Sequence, residues 1–130
     1  MLVCSIGSAL SSYSAAILTF LESASDRPRA GREFARIAER LFVSGLVELD
    51  PDATGYVRKP LDWAPTQTSW CHRLFDEHTI DAHLVALVAR QQSDGGWPIS
   101  WLTVSPLVEF EWRGFVTVDA LKTLQAYGCV

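Results

Sequence analysis

Three acidic residues near the carboxyl-terminal end of the chain are the candidates for acid–base chemistry: Glu109, Glu111 and Asp119. A carboxylic acid can protonate a substrate at neutral pH only if a dry, apolar setting keeps its own proton in place. Arg113 follows the two glutamates closely, and a salt bridge from Arg113 to one of them is the favoured interpretation. The sequence therefore assigns no catalytic residue beyond naming these three candidates.

Large aromatic side chains are numerous between residues 63 and 115. The faces of such rings attract cations, including carbocations, and several rings together can line an apolar cavity. Packing in a core or an interface is the commoner role of these side chains and the favoured interpretation. The candidates for contact with a ligand are Trp63, Trp70, Phe75, Trp101, Phe110, Trp112 and Phe115.

Metal binding is not predicted. A catalytic zinc site needs three ligands that converge on one point. His78 and His83 are five residues apart, which on a helix turns their side chains about 140° away from each other. We interpret these histidines as polar surface positions. The other potential ligands near them are Cys71, His72, Asp76 and Asp81.

The turn from Gln91 to Trp97 is the most informative segment. Its sequence is Gln-Gln-Ser-Asp-Gly-Gly-Trp. Gly95 and Gly96 permit backbone angles that end a helix and reverse the chain. The Gln91 amide can satisfy backbone groups left unpaired at the helix end, and Trp97 can pack against a neighbouring helix. We interpret Gln91, Asp94, Gly95, Gly96 and Trp97 as a structural motif that links two helices, rather than a catalytic motif.

Around this turn, apolar residues recur at three- and four-residue intervals, which predicts four helices and no strand. The helices cover about 8–23, 30–48, 77–92 and 114–127, and an irregular connection rich in aromatic residues covers 49–76. The pattern places six residues of the first helix on one face: Leu10, Tyr13, Ala16, Ile17, Phe20 and Leu21. In the last helix it directs Val118 and Leu121 inward, together with Ala120 and Leu124. We therefore predict one all-α domain, residues 1–130.

Composition narrows the classes of function. The chain has 130 residues, 48% of them hydrophobic, and a net charge of −4. A negative chain without a basic patch is atypical of nucleic-acid binding. Serines interrupt the apolar amino-terminal stretch, so neither a membrane span nor a signal peptide is predicted. The three cysteines match no disulfide or metal spacing and are expected to be reduced thiols in the cytoplasm.

Residues 77–128 resemble a repeat of the terpenoid cyclase and protein prenyltransferase superfamily. The turn Gln91-x-x-Asp94-Gly95-Gly96-Trp97 is similar to the QW motif of squalene–hopene cyclases, and Thr117 to Gly128 resembles the inner helix that follows it. The resemblance implies an α/α toroid built from antiparallel helix pairs, with an apolar isoprenoid as ligand and no cofactor. Two hallmarks are missing: the Asp-x-Asp-Asp acid motif of the cyclases and the zinc ligands of the prenyltransferases.

The chain is also much shorter than a closed toroid, and two helix pairs alone would leave apolar faces uncovered. We therefore expect a homodimer, or association with a partner chain. The favoured hypothesis is a toroid-like fragment or subunit without complete catalytic machinery. One alternative is a cyclase- or prenyltransferase-type enzyme that acts on an isoprenoid once assembled. Another is a protein-interaction module that serves dimerisation.

Overall fold

The computed structural model describes the backbone of residues 2–130 and the side chains from Tyr13 onward. Within this range the chain forms α-helices and one 3-10 helix, without a strand, which confirms the all-α prediction. Across the same residues, no helix is long and apolar enough to cross a membrane. The elements are α1 (Leu2–Ser23), α2 (Arg27–Val43), α3 (Pro60–Trp63), the 3-10 helix (Trp70–Leu74), α4 (Glu77–Ala89) and α5 (Pro106–Ala126).

Capping residues set the ends of the helices. Asp26 accepts a hydrogen bond from the Arg29 amide at 3.1 Å, so α2 begins three residues before the predicted start. Pro28 does not prevent this because proline is tolerated in the first turn of a helix. Helix α2 ends at Val43, and Gly45 follows it at a φ of 69°. The predicted extension of this helix to residue 48 was therefore wrong.

The first hydrophobic core lies between α1, α2 and the segment that follows them. Its buried members come from α1 (Leu18), α2 (Phe34, Ala38, Leu41), the α3 region (Trp63, Ala64) and the 3-10 helix (Cys71). The predicted irregular connection 49–76 thus contains two short helices, which pack against the α1–α2 pair. Burial raises the pKa of the Cys71 thiol to about 11, so this thiol stays protonated at neutral pH.

The face predicted for α1 was largely wrong. Tyr13, Ala16, Ile17 and Phe20 are exposed, and Leu18, which lies outside the predicted face, is buried. Leu21 of the predicted face does pack against the core, and Leu10 lies outside the described side chains. Helix α1 carries small and apolar residues on several sides, so its periodicity does not single out one face. The helix also begins at Leu2 instead of residue 8, and the side chains of its first eleven residues lie outside the described part.

The second core joins α4 and α5 through the turn that connects them. Trp97, Ala120 and Leu124 are buried there, and Leu84 and Leu87 pack against them. Ala120 and Leu124 face inward as predicted.

Helix α5 begins eight residues before the predicted position. Ser105 accepts a hydrogen bond from the Val108 amide at 3.3 Å, and Pro106 occupies the first turn. The inward orientation predicted for Val118 and Leu121 was wrong, since both are exposed.

Candidate functional site

The turn between α4 and α5 is held by its own backbone and by one side chain. The Gln92 amide donates to the Gly96 carbonyl at 2.8 Å, and the Gly95 amide donates to the Gln92 carbonyl at 2.9 Å. The Gln91 side-chain amide donates to the Gly95 carbonyl at 2.9 Å, so Gln91 does satisfy a backbone group beyond the helix end. Gly95 has a φ of 85°, a conformation that side chains with a Cβ disfavour.

Trp97 fastens this turn to both helices. Its indole Nε1 donates to the Leu87 carbonyl of α4 at 2.7 Å, and its backbone amide donates to the Thr117 hydroxyl of α5 at 2.9 Å. The ring itself is only 4% exposed. This arrangement links α4 to α5 and positions the residues that follow Trp97.

Arg113 pairs with Asp94 across the turn. One guanidinium nitrogen lies 2.9 Å from the carboxylate, and the same nitrogen donates to the Gln92 side chain at 2.7 Å. The predicted salt bridge to Glu109 or Glu111 was therefore wrong. The Gly96 amide and the Arg113 side chain both donate to Asp94 and hold its pKa below the usual range.

A cavity of about 550 Å³ opens beside this turn, between α4, α5 and the segments 55–62 and 97–101. One of its walls is a row of aromatic rings. Tyr56 stacks on Trp101 at 5.5 Å between ring centroids, Trp101 meets Trp112 edge-on at 5.6 Å, and Trp112 meets Phe115 edge-on at 5.6 Å. The row brings together a loop that follows α2, the α4–α5 connection and one face of α5.

Two carboxylates line the same cavity, Asp62 of α3 and Asp119 of α5. Asp62 is exposed to solvent. Burial of its carboxyl group, with a smaller repulsion from Asp119, raises the pKa of Asp62, although the Lys59 amide donates to the Asp62 carboxylate at 2.8 Å and opposes the shift. The cavity thus combines an apolar aromatic wall with a carboxyl group that remains accessible to solvent.

Two cations in the cavity lining hold a loop in place. Lys59 Nζ and Arg90 Nη2 donate to the same backbone oxygen, that of Pro51, at 2.7 and 2.8 Å. Burial, with repulsion from Arg90, lowers the pKa of Lys59. This shared acceptor ties the loop before α3 to the end of α4, and so fixes the cavity wall that the loop forms.

His83 lies in the cavity lining and is only 3% exposed, so the predicted surface position was wrong. Its Nε2 donates to the Leu49 carbonyl at 3.0 Å, and burial lowers its pKa. The side chain is therefore a neutral imidazole at pH 7 that anchors the loop. No group of three or more His, Cys, Asp or Glu residues that could hold a metal ion occurs among the residues the structure describes.

Some of the predicted catalytic and ligand-contact candidates line the cavity, and others lie elsewhere. Asp119, Trp101, Trp112 and Phe115 line it. Trp63, Trp70 and Phe75 belong to the first core, where Trp70 contacts Phe34 edge-on. Phe110, Glu109 and Glu111 are exposed and do not line the cavity.

Sequence reasoning missed Tyr56, Lys59 and Asp62, which come from the segment predicted to be irregular. The local signal around Asp62 predicts a helix start, because Asp62 caps α3 by accepting from the Lys59 amide. Nothing in that pattern places Asp62 in one cavity with Asp119, which lies 57 residues further along the chain.

No protein-family model, no curated protein and no solved structure matches this chain.

Proposed function

We propose that the protein is a binding subunit of α/α-toroid type that holds an apolar, isoprenoid-like ligand in the cavity between α4 and α5. The aromatic row of Tyr56, Trp101, Trp112 and Phe115 carries this proposal. Aromatic walls with a few polar groups are typical of cavities that bind small apolar molecules, and 550 Å³ is within their usual range. The helix–turn–helix around Trp97, which resembles a repeat of the toroid superfamily, supports the same class of ligand.

The polar groups of the cavity would orient the ligand rather than supply most of its affinity. Asp62, Asp119, Lys59 and Arg90 all line the cavity, and the Lys59 amide donates to the Asp62 carboxylate. Both cations already donate to the Pro51 carbonyl. A ligand with a hydrocarbon body and one polar end matches this lining, since the body contacts the rings and the polar end reaches the charged groups.

A thermal-shift titration tests the proposal. The probes are squalene, a long-chain prenyl alcohol and a prenyl diphosphate, because they share an isoprenoid body and differ at the polar end. We expect at least one of them to raise the melting temperature of the protein in a saturable manner. Failure of all three to do so would reject an isoprenoid ligand.

A pair of variants locates the binding site. Trp112→Ala removes the central ring of the row and should weaken binding at least tenfold. Phe20→Ala is the matched control, because Phe20 is an exposed aromatic residue of α1, outside the cavity. Equal loss of affinity in both variants would place the ligand elsewhere on the protein.

A second candidate function is an isoprenoid-converting enzyme of the cyclase or prenyltransferase type. The raised pKa of Asp62, which lines the aromatic cavity together with Asp119, favours it. A protonated carboxyl group can donate its proton to a substrate, and aromatic faces stabilise the cation that results. Incubation with squalene or a prenyl diphosphate, followed by mass spectrometry, would reveal a product that Asp62→Asn no longer forms. Binding without any product supports the subunit function instead.

A further inference from the structure

Helix α5 carries an apolar face that no other part of the described structure covers. Leu107, Phe110, Val118 and Leu121 are between 42% and 72% exposed, and Gly114 lies among them. At about 100° per residue these five positions fall within one sector of about 80°, and its centre lies about 100° around the helix from the side that buries Ala120 and Leu124 in the second core. No charged residue lies inside this sector. A partner that covers the sector would therefore remove no charged group of it from solvent. We call these five residues the α5 stripe.

We propose that the α5 stripe is the contact surface for a second copy of this chain, with the two α5 helices packed antiparallel across a two-fold axis at Gly114. This proposal does not depend on the ligand proposed for the cavity.

The spacing of the stripe argues for a second copy rather than an unrelated partner. Its members follow one another at steps of three, four, four and three residues. The spacing is therefore the same in both directions from Gly114. A two-fold interface requires one surface to be complementary to itself. In an antiparallel pair Leu107 would meet Leu121 of the second copy, and Phe110 would meet Val118.

Gly114 allows the two helices to approach closely at the axis. A Cβ atom built at this position meets nothing within 4 Å, so the space above the residue is open. Helices pack at interaxial distances of about 8–10 Å that depend on the side chains at the contact, and glycine permits the shortest of these. The bulky side chains on either side of Gly114 can then interdigitate.

The area of the stripe predicts a weak and reversible dimer. Exposed apolar patches of a few hundred Å² mark interaction sites, and a helix of 21 residues offers a contact strip of about that size. A standard interface buries about 800 Å² on each partner, and smaller ones belong to transient complexes. We therefore expect a dissociation constant in the micromolar range, about 1–100 µM.

Sedimentation velocity over a range of about 1–500 µM protein tests the proposal, since this range brackets the expected constant. The wild-type chain should shift from monomer to dimer, and Val118→Glu should remain monomeric because it buries a charge at the contact. Val85→Glu is the matched control, because Val85 is a similarly exposed valine on α4. Circular dichroism melting would verify that both variants fold. A monomeric wild type, or equal loss of dimer in both variants, would overturn the proposal.

Cross-linking tests the position of the axis. In a Cys4→Ser, Cys129→Ser background, Gly114→Cys should form a covalent dimer with a short bismaleimide reagent. Gly31→Cys, on the exposed side of α2, should not, although its surroundings are equally open. Equal cross-linking at both positions would contradict an axis at Gly114.

Discussion

The indole nitrogen of Trp97 donates a hydrogen bond of 2.7 Å to the backbone carbonyl of Leu87, ten residues earlier in the chain. This bond joins the middle of the α4–α5 connection to the last turns of α4. The Trp97 amide also reaches the Thr117 hydroxyl of α5, so one residue links both helices. The aromatic wall of the cavity begins four residues further on, at Trp101, and depends on this attachment.

Replacing Trp97 with phenylalanine should destabilise the fold. The change removes the hydrogen bond to Leu87 while it keeps most of the ring, and we expect a loss of about 1–3 kcal/mol in the free energy of unfolding. Trp97→Ala should cost about 3–5 kcal/mol because it also leaves a void in the second core. Urea denaturation followed by circular dichroism measures both values. Trp112→Phe, at a partly exposed tryptophan without a buried hydrogen bond, is the control and should change stability little.

Two glycine-to-alanine substitutions should have opposite effects. Gly95→Ala should destabilise the protein by about 1–2 kcal/mol, because Gly95 adopts a φ of 85° that disfavours a Cβ. Gly31→Ala should stabilise it by about 0.5–1 kcal/mol, because Gly31 lies inside α2 and a Cβ there meets nothing within 4 Å. Chemical denaturation of the two variants measures the difference. The same sign of change in both would contradict the conformation of the turn.

His83 should make the protein less stable as the pH falls. Burial lowers its pKa below the ordinary value of 6.5. Between that value and the lower folded pKa, the unfolded chain binds more protons than the folded chain, so the free energy of unfolding decreases through this window as the solution is acidified. Lys59 and Arg90 disfavour the charged imidazole, whereas Asp62 and the hydrogen bond to Leu49 oppose them.

The variant His83→Gln isolates this effect, because glutamine has no group that titrates and can still donate to the Leu49 carbonyl. Denaturation at several pH values between about 7.5 and 5 should give a steeper loss of stability for the wild type than for the variant. Parallel curves would show that His83 does not titrate in this window.

Tyr127 secures the end of α5 to α3. Its hydroxyl donates to the Ala64 carbonyl at 2.7 Å, and Ala64 is completely buried. Tyr127→Phe should therefore cost about 1–3 kcal/mol, since it leaves a buried carbonyl without its partner. Tyr13→Phe is the matched control, because Tyr13 is 71% exposed, and it should leave the unfolding midpoint unchanged. A midpoint for Tyr127→Phe that coincides with the control would refute this role of the hydroxyl.

Local sequence patterns predicted the features that depend on a few neighbouring residues. Helix α4 begins at the predicted residue, where Asp76 caps it by accepting from the Thr79 amide at 2.6 Å. Helix α5 ends within one residue of its predicted end, and Gly128 follows it at a φ of 74°. The early start of α5 was missed although Ser105 and Pro106 form a helix-start signal, because the prediction relied on apolar periodicity, which begins later.

The inward faces and the cavity could not be predicted in this way. An apolar stripe in the sequence indicates that a helix has an apolar face. It does not indicate which element packs on that face. Val118 and Leu121 satisfy the periodicity of α5 and are exposed, while Thr123 of the same helix is buried. Asp62 and Asp119 line one cavity only because the tertiary fold brings together α3 and α5, which are far apart in the chain.

The sequence by itself determined the helices, their caps and the turn at Gln91–Trp97, because hydrogen bonds within a few residues and the φ angles of glycine settle these features. Only the tertiary structure decided which rings and which carboxyl groups line a cavity and which helix surface stays open. These outcomes depend on long-range packing, in which each helix buries whichever face meets its neighbours best. Trp97 shows both kinds of feature. Its place in the turn follows from neighbouring residues, whereas its hydrogen bond to Thr117 required α5 to fold back against α4.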